Sequence, residues 1–155
     1  MKELLVLRHA KSTHADPRLA DHERPLNERG RRAAPRVGRL LSREGLVPER
    51  VFCSTATRTM ETAALVCAAT GREIDASFHE ELYLAPPDRI LDLVIRSAND
   101  FGRIMVVGHN PGVEDVLTLL GLGMHETLAR LVRERQGLPR GRPRFGLDMT
   151  STCTK

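Results

Sequence analysis

Tryptophan is absent, and the 155 residues include only five aromatics, Phe52, Phe78, Tyr83, Phe101 and Phe145. They are not interleaved with the arginines as a base-stacking platform requires, so nucleic acid is not an expected partner. Cysteine is scarce and odd in number: Cys53, Cys67 and Cys153 are too widely spaced for a disulfide framework or a paired metal-ligand pattern and read as ordinary reduced thiols. Long apolar runs are also missing. Runs such as Leu4 to Leu7 and Ile104 to Val107 are far below the roughly 20 residues of a membrane-spanning helix. No signal-type cleavage pattern follows the first apolar residues, so the expectation is a cytoplasmic protein without membrane association.

The composition that remains, 41% hydrophobic and 28% charged, is that of a folded globular chain, and its length suits a single domain over residues 1–155. The formal net charge of +4, with much of the excess between Arg130 and Arg144, tilts the protein toward anionic partners. Leu4 to Leu7 reads as a strand buried on both faces, Val51 to Cys53 and Ile104 to Val107 as further strands, and Ile74 to Ala76 as a short extended segment. Between them lie helical patterns. One is capped by Asn27, carries Ala34, Val37, Leu40 and Leu41 at helical spacing, is interrupted by Pro35, which should kink it or delay its regular part, and stops at Gly45. A second is capped by Ser54, places Met60, Ala63, Ala64 and Cys67 on one face, and ends at Gly71. A third starts at Pro87 or Asp88 with Ile90, Leu91 and Val94 on one side. A fourth has Asn110 as its cap and Pro111 at the first helical position. This alternation predicts an α/β fold, a three-layer α/β/α sandwich around a mostly parallel sheet, with ligands bound beyond the strand C-terminal ends.

Two arginines and two histidines fall at those ends: Arg8 and His9 after the first strand, Arg58 one helical turn past the second, and His109 after the last clear one. Forked guanidinium donors suit the oxygens of a phosphoryl group in transfer, and the start of the helix after Ser54 adds backbone donors and partial positive charge. A neutral imidazole in such a pocket can attack phosphorus, and nearby cations favour its neutral form.

The residues Leu7-Arg8-His9-Ala10-Lys11-Ser12 resemble the Arg-His-Gly signature of the histidine phosphatase, or phosphoglycerate mutase-like, superfamily, with Ala10 at the glycine position as in many SixA-like phosphohistidine phosphatases. Arg24-Pro25-Leu26 with Gly30, Cys53 to Thr59 with Thr62-Ala63, and Val107 to Pro111 extend the resemblance over residues 2–120. It implies a phosphoglycerate mutase-like fold and a metal-independent hydrolase that needs no cofactor. His9 is then the phosphate acceptor, Arg8 and Arg58 bind phosphoryl oxygens, His109 stabilises the transition state, and Ser12 adds a hydrogen bond. The acid that protonates the leaving group is Glu80 or Glu81, with Glu80 preferred from its spacing to Tyr83. The short connections 13–26 and 77–87 leave little chain for a lid, and an open pocket suits phosphohistidine on a phosphorelay or phosphotransfer protein. It also admits small phosphate esters.

Other readings compete. Arg58 could form a surface ion pair with Glu61, and His14, His22, His79 and His125 read as solvated or structural. A metallohydrolase lacks a His pair at ligand spacing beside a carboxylate, so no metal site is expected. A phospho-ligand binding module that turns over poorly stays open while the acid is uncertain. Residues 121–155 depart from the SixA-like pattern: Gln136 to Arg144 reads as a mobile basic segment, and Phe145, Leu147 and Met149 alternate as an edge strand would. A missing edge strand would leave a sheet edge for dimer contact, so the expected state is a monomer or weak dimer.

Overall fold

A computed structural model describes residues 3–97 and 99–120. Four strands, β1 (Glu3–Arg8), β2 (Arg50–Ser54), β3 (Asp75–His79) and β4 (Arg103–Gly108), alternate with four helices, α1 (Glu28–Arg43), α2 (Thr57–Ala69), α3 (Pro87–Arg96) and α4 (Gly112–Leu119). The sheet is wholly parallel among the described residues, in the order β1-β4-β2-β3. Each parallel crossover carries a helix, and the helices fall on both faces.

The burial pattern of β4 records this layering. All six of its residues are buried, and the four from Ile104 to Val107 alternate between two cores. Met105 and Val107 join Leu5, Leu7, Val51 and Cys53 against Ala34, Val37 and Leu41 of α1 and Ala63 and Val66 of α2. Ile104 and Val106 join Phe52 against Ile90, Leu93 and Val94 of α3 and Val116 of α4. The sandwich is therefore the expected three-layer α/β/α. β1 departs from the expectation of full burial. It ends the strand order among the described residues, so Leu5 and Leu7 are buried while Leu4 and Val6 are only partly covered.

Asn27 caps α1 as expected, its side chain accepting from the Gly30 amide. Of the two effects expected of Pro35, a kink or a delayed start, the delay does not occur: the helix begins directly after its cap and its range includes Pro35. At its end Leu46 N–H donates to Leu41 O and Gly45 N–H to Ser42 O, a Schellman closure made possible by φ of +66° at Gly45 and sealed by buried Leu46 and Leu41. Two other caps differ from their sequence reading. α2 begins after Ala56, not Ser54, and α4 after Pro111, not Asn110. In each case the polar side chain is engaged elsewhere: Ser54 with His109, and Asn110 with Glu114. The inner face of α2 also differs, with Arg58, Thr59 and Thr62 buried beside Ala63 and Val66 while Ala64 is exposed. Residues 121–155, with the expected basic segment and edge strand, lie outside the described residues. No helix among the described residues is long and apolar enough to cross a membrane.

Candidate active site

Because all four strands point the same way, their C-terminal ends share one edge of the sheet. β1 and β4 are neighbours, with Arg8 opposite Gly108, so the residues that follow them meet: His9 N–H donates to Gly108 O, and the His9 and His109 rings lie 5.2 Å apart. β2 flanks β4 on its other side and brings Ser54 to His109. A cleft of about 340 Å³ opens here, lined among others by Arg8, His9, Lys11, Ser12, Asp21, Arg24, Arg58 and His109. The four residues singled out from the strand ends, together with Ser12, thus converge. α2 contributes Arg58 to this lining, but not the N-terminal backbone amides that the sequence suggested.

His9 is held in one tautomer. Its Nδ1 lies 2.8 Å from the carbonyl oxygen of Ala10, which can only accept, so Nδ1 carries the proton and the neutral ring keeps its lone pair on Nε2. Ala10 is anchored in turn, its amide donating to Thr62 Oγ1 while the Thr62 hydroxyl donates to Arg58 O. The pKa of His9 falls from 6.5 to about 4, chiefly because burial disfavours the charged ring; Arg58, Arg8 and Arg24 lower it further, against the Ala10 hydrogen bond. The cations invoked from sequence therefore act second to desolvation. His109 is lowered to about 3 for the same leading reason, with Arg58 next. Both imidazoles are neutral at pH 7. Arg8 Nε is buried without a hydrogen-bond partner, a donor that an incoming oxyanion could satisfy.

Arg58 is 3% exposed and does not pair with Glu61. Its Nη2 donates to Asp21 Oδ2 at 2.9 Å and its Nη1 to the Asp21 carbonyl. Glu61 instead accepts from the Leu26 amide and pairs with Arg31. Asp21 also accepts from Tyr83 OH at 2.7 Å and pairs with Arg24. The Tyr83 hydrogen bond, followed by Arg58, holds its carboxyl below the usual range, so it is an anion at neutral pH. Arg24 also donates to Ser12 Oγ at 2.6 Å, which leaves the Ser12 hydroxyl proton available to another acceptor. His22 reaches Thr55 Oγ1 at 2.9 Å and meets the Tyr83 ring edge-on. The connection 13–26 is therefore a strap pinned to Arg58 through Asp21.

Glu80 and Glu81 do not join the cleft lining. Both are exposed in a 3-10 turn after β3, and Glu81 pairs with Arg96. β3 lies three strand positions from β1, roughly 14 Å at about 4.8 Å per strand. Among the described residues the carboxylate that does line the cleft is Asp21, which sequence reasoning missed; its one local signal is its place three residues before Arg24. The missed Ser54–His109 contact has no local signal, because 55 residues separate the partners. Gly30 has a structural reason for its place in the Arg24-to-Gly30 pattern: a Cβ there would lie 2.3 Å from Lys11 O, beside the segment that carries His9. No group of three or more potential metal ligands occurs among the described residues.

The family model of the histidine phosphatase superfamily (branch 1) matches residues 4–83. The chain belongs to this superfamily. An uncharacterised protein of Mycobacterium tuberculosis is 39% identical over 105 residues, covering 68% of this chain and 63% of that protein. The chain thus spans a little under two thirds of the length of the first curated relatives it matches. Among solved structures, a candidate phosphohistidine phosphatase SixA from Agrobacterium tumefaciens superposes with a TM-score of 0.71 at 28% identity, covering 86% of this chain and 82% of that one. A second SixA candidate, from Nakamurella multipartitia, is 32% identical with a TM-score of 0.60, covering 84% of this chain and 76% of that one. The superfamily match includes Arg8, His9, Ser12 and Arg58, and ends before His109.

Proposed function

We propose that this protein is a phosphatase that hydrolyses phosphohistidine on a partner protein through a covalent phosphohistidine on His9. The observation that carries this reading is the His9 ring itself: neutral, with Nδ1–H tied to Ala10 O and the Nε2 lone pair left for phosphorus, in a cleft lined by Arg8 and Arg58. In the first step Nε2 attacks phosphorus, the bond from phosphorus to the substrate nitrogen breaks, and that nitrogen leaves with the electron pair. Water then attacks the phosphorus on His9, the N–P bond breaks, and inorganic phosphate departs. Arg8 and Arg58 hold the equatorial oxygens and His109 donates to one of them as charge develops.

Asp21 bears on the substrate class. It lines the cleft as an anion held by Arg58, Arg24 and Tyr83, so at neutral pH it has no proton to give an alkoxide. A phosphohistidine needs none, since its imidazole leaves as a neutral ring once protonated from water. A small phosphate ester also fits a cleft of this volume and is the alternative substrate. No cofactor or metal enters either route.

The test compares wild type and His9→Ala on a phosphohistidine protein, a phosphoserine peptide and an aryl phosphate. The expected result is fastest turnover of phosphohistidine by wild type, loss in His9→Ala, and acid-labile, base-stable phosphate trapped on the wild-type protein. Equal rates for the two proteins would overturn the mechanism, and a preference for the aryl phosphate would overturn the substrate class.

A further inference from the structure

Ser54 ends β2 fully buried, and its hydroxyl oxygen meets His109 while also accepting, at 3.4 Å, from the amide of Ala56, the residue before α2. Oγ lies 2.8 Å from His109 Nε2, while Arg58 Nη2 lies 3.4 Å from Nδ1 on the opposite side of the ring. A guanidinium can only donate, so Nδ1 accepts; the proton of the neutral ring is then on Nε2 and is donated to Ser54 Oγ. The serine is itself fixed, because its carbonyl accepts from Thr59 Oγ1 and Cys53 Sγ. Burial lowers the His109 pKa to about 3, which keeps the resting ring neutral.

We propose that Ser54 is the positioning residue of His109: it holds Nε2–H and presents Nδ1 to the phosphoryl site, where that nitrogen takes up a proton when phosphate arrives. The proposal rests on the phosphatase reading above. As a phosphoryl group carrying one protonated oxygen enters, the Arg58 N–H turns from Nδ1 to a phosphoryl oxygen. The phosphoryl O–H proton passes to Nδ1, and the resulting Nδ1–H donates back to the oxygen that lost it. The imidazolium so formed keeps Nε2–H on Ser54, whose oxygen accepts it in both states. Without the hydroxyl, Nε2–H would be a buried donor with no acceptor, and the ring would lose both its preferred tautomer and its orientation.

The experiment uses Ser54→Ala and Ser54→Thr, each checked for folding by thermal melting. Nitrogen-15 NMR of His109 is recorded on the full chain without ligand and with inorganic phosphate, alongside kcat and KM on a phosphohistidine protein. Wild type and Ser54→Thr are expected to show protonated Nε2 and bare Nδ1 at rest, and protonated Nδ1 with phosphate. Ser54→Ala is expected to show mixed tautomers and a kcat lower by about 10–100-fold, as for outer residues that orient a functional histidine, with KM changed less. Ser54→Thr should recover most of the rate. Wild-type tautomers or wild-type kcat in Ser54→Ala would overturn the proposal, as would a Ser54→Thr protein with the wild-type tautomer and the alanine variant's rate. The resting NMR pattern does not depend on turnover, so it separates failure here from failure of His9 as nucleophile, which the His9→Ala comparison reads.

Discussion

Lowering the pH from 7 to 5 protonates an ordinary histidine but should leave His9 a nucleophile. With a pKa of about 4 its neutral form exceeds the charged form about ten to one at pH 5. At the usual 6.5 the neutral form would be outnumbered about thirty to one. The same shift makes the fold pH-sensitive. The unfolded chain binds this proton near 6.5 and the folded protein only near 4, so the stabilising effect of the neutral ring is complete above 6.5 and is lost as the pH falls toward 4. Across that window the loss is on the order of 3 kcal/mol for His9. Desolvation leads the causes, so Arg58→Gln should raise the midpoint only part of the way toward 6.5. Histidine-selective NMR titration, assigned with His9→Gln, measures the midpoint, and urea melts between pH 4 and 7 measure the stability slope. A His9 midpoint at or above 6 would refute the argument that burial keeps the ring neutral. Full restoration of 6.5 by Arg58→Gln would refute the ranking of burial over charge.

Replacing Thr62 by valine removes the acceptor of the buried Ala10 amide, and stability measured in urea should fall by about 1–3 kcal/mol, with slower phosphoryl uptake on His9; Thr62→Ser should behave as wild type. Gly30→Ala puts a Cβ 2.3 Å from Lys11 O, and the displaced segment should cost about 1–3 kcal/mol and reduce activity; a melting curve and rate equal to wild type would contradict this contact. Asp21→Asn removes an anion that competes for Arg58, so inhibition by inorganic phosphate should tighten at low ionic strength; weaker inhibition would mean that holding Arg58 in place matters more than releasing it. Prolonged dialysis against EDTA should leave the rate unchanged, and activity lost to chelation and restored by a divalent ion would overturn the histidine-nucleophile route.

What the sequence discloses and what it hides divide along a physical line. The strands and helices follow from runs such as Leu4 to Leu7 and from spacing such as Ala34, Val37 and Leu41, because local periodicity reports which side of an element is buried. A parallel sheet then gathers the strand C-terminal ends at one edge, so the sequence pattern alone brings Arg8, His9 and His109 together. The errors concern side chains with two uses. Ser54 and Asn110 stand where a helix cap belongs, yet each hydroxyl or amide is engaged by another partner. Local pattern cannot rank a cap against a partner 55 residues away.

The absence of Glu80 from the cleft lining follows from strand order, which the alternation of elements leaves undetermined. Glu80 follows a strand as His9 and His109 do, but β3 is the far end of the sheet and the other two strands are neighbours. Tyr83 and Leu84, only a few residues later, do return toward the cleft: the tyrosine hydroxyl reaches Asp21 and the leucine lines the wall. The carboxylate that shares the cleft with His9 therefore comes from the 13–26 strap, in contact with Arg58 and Arg24. That placement changes the chemistry expected of it. A carboxyl lying in an apolar wall would hold its proton and could act as an acid, whereas one between Arg58, Arg24 and Tyr83 stays charged. The cations that make the cleft attractive to a phosphoryl group are thus the same groups that deprive its neighbouring carboxyl of a proton. On the phosphatase reading proposed above, a cleft built this way is expected to favour substrates whose leaving group can depart without a carboxylic acid.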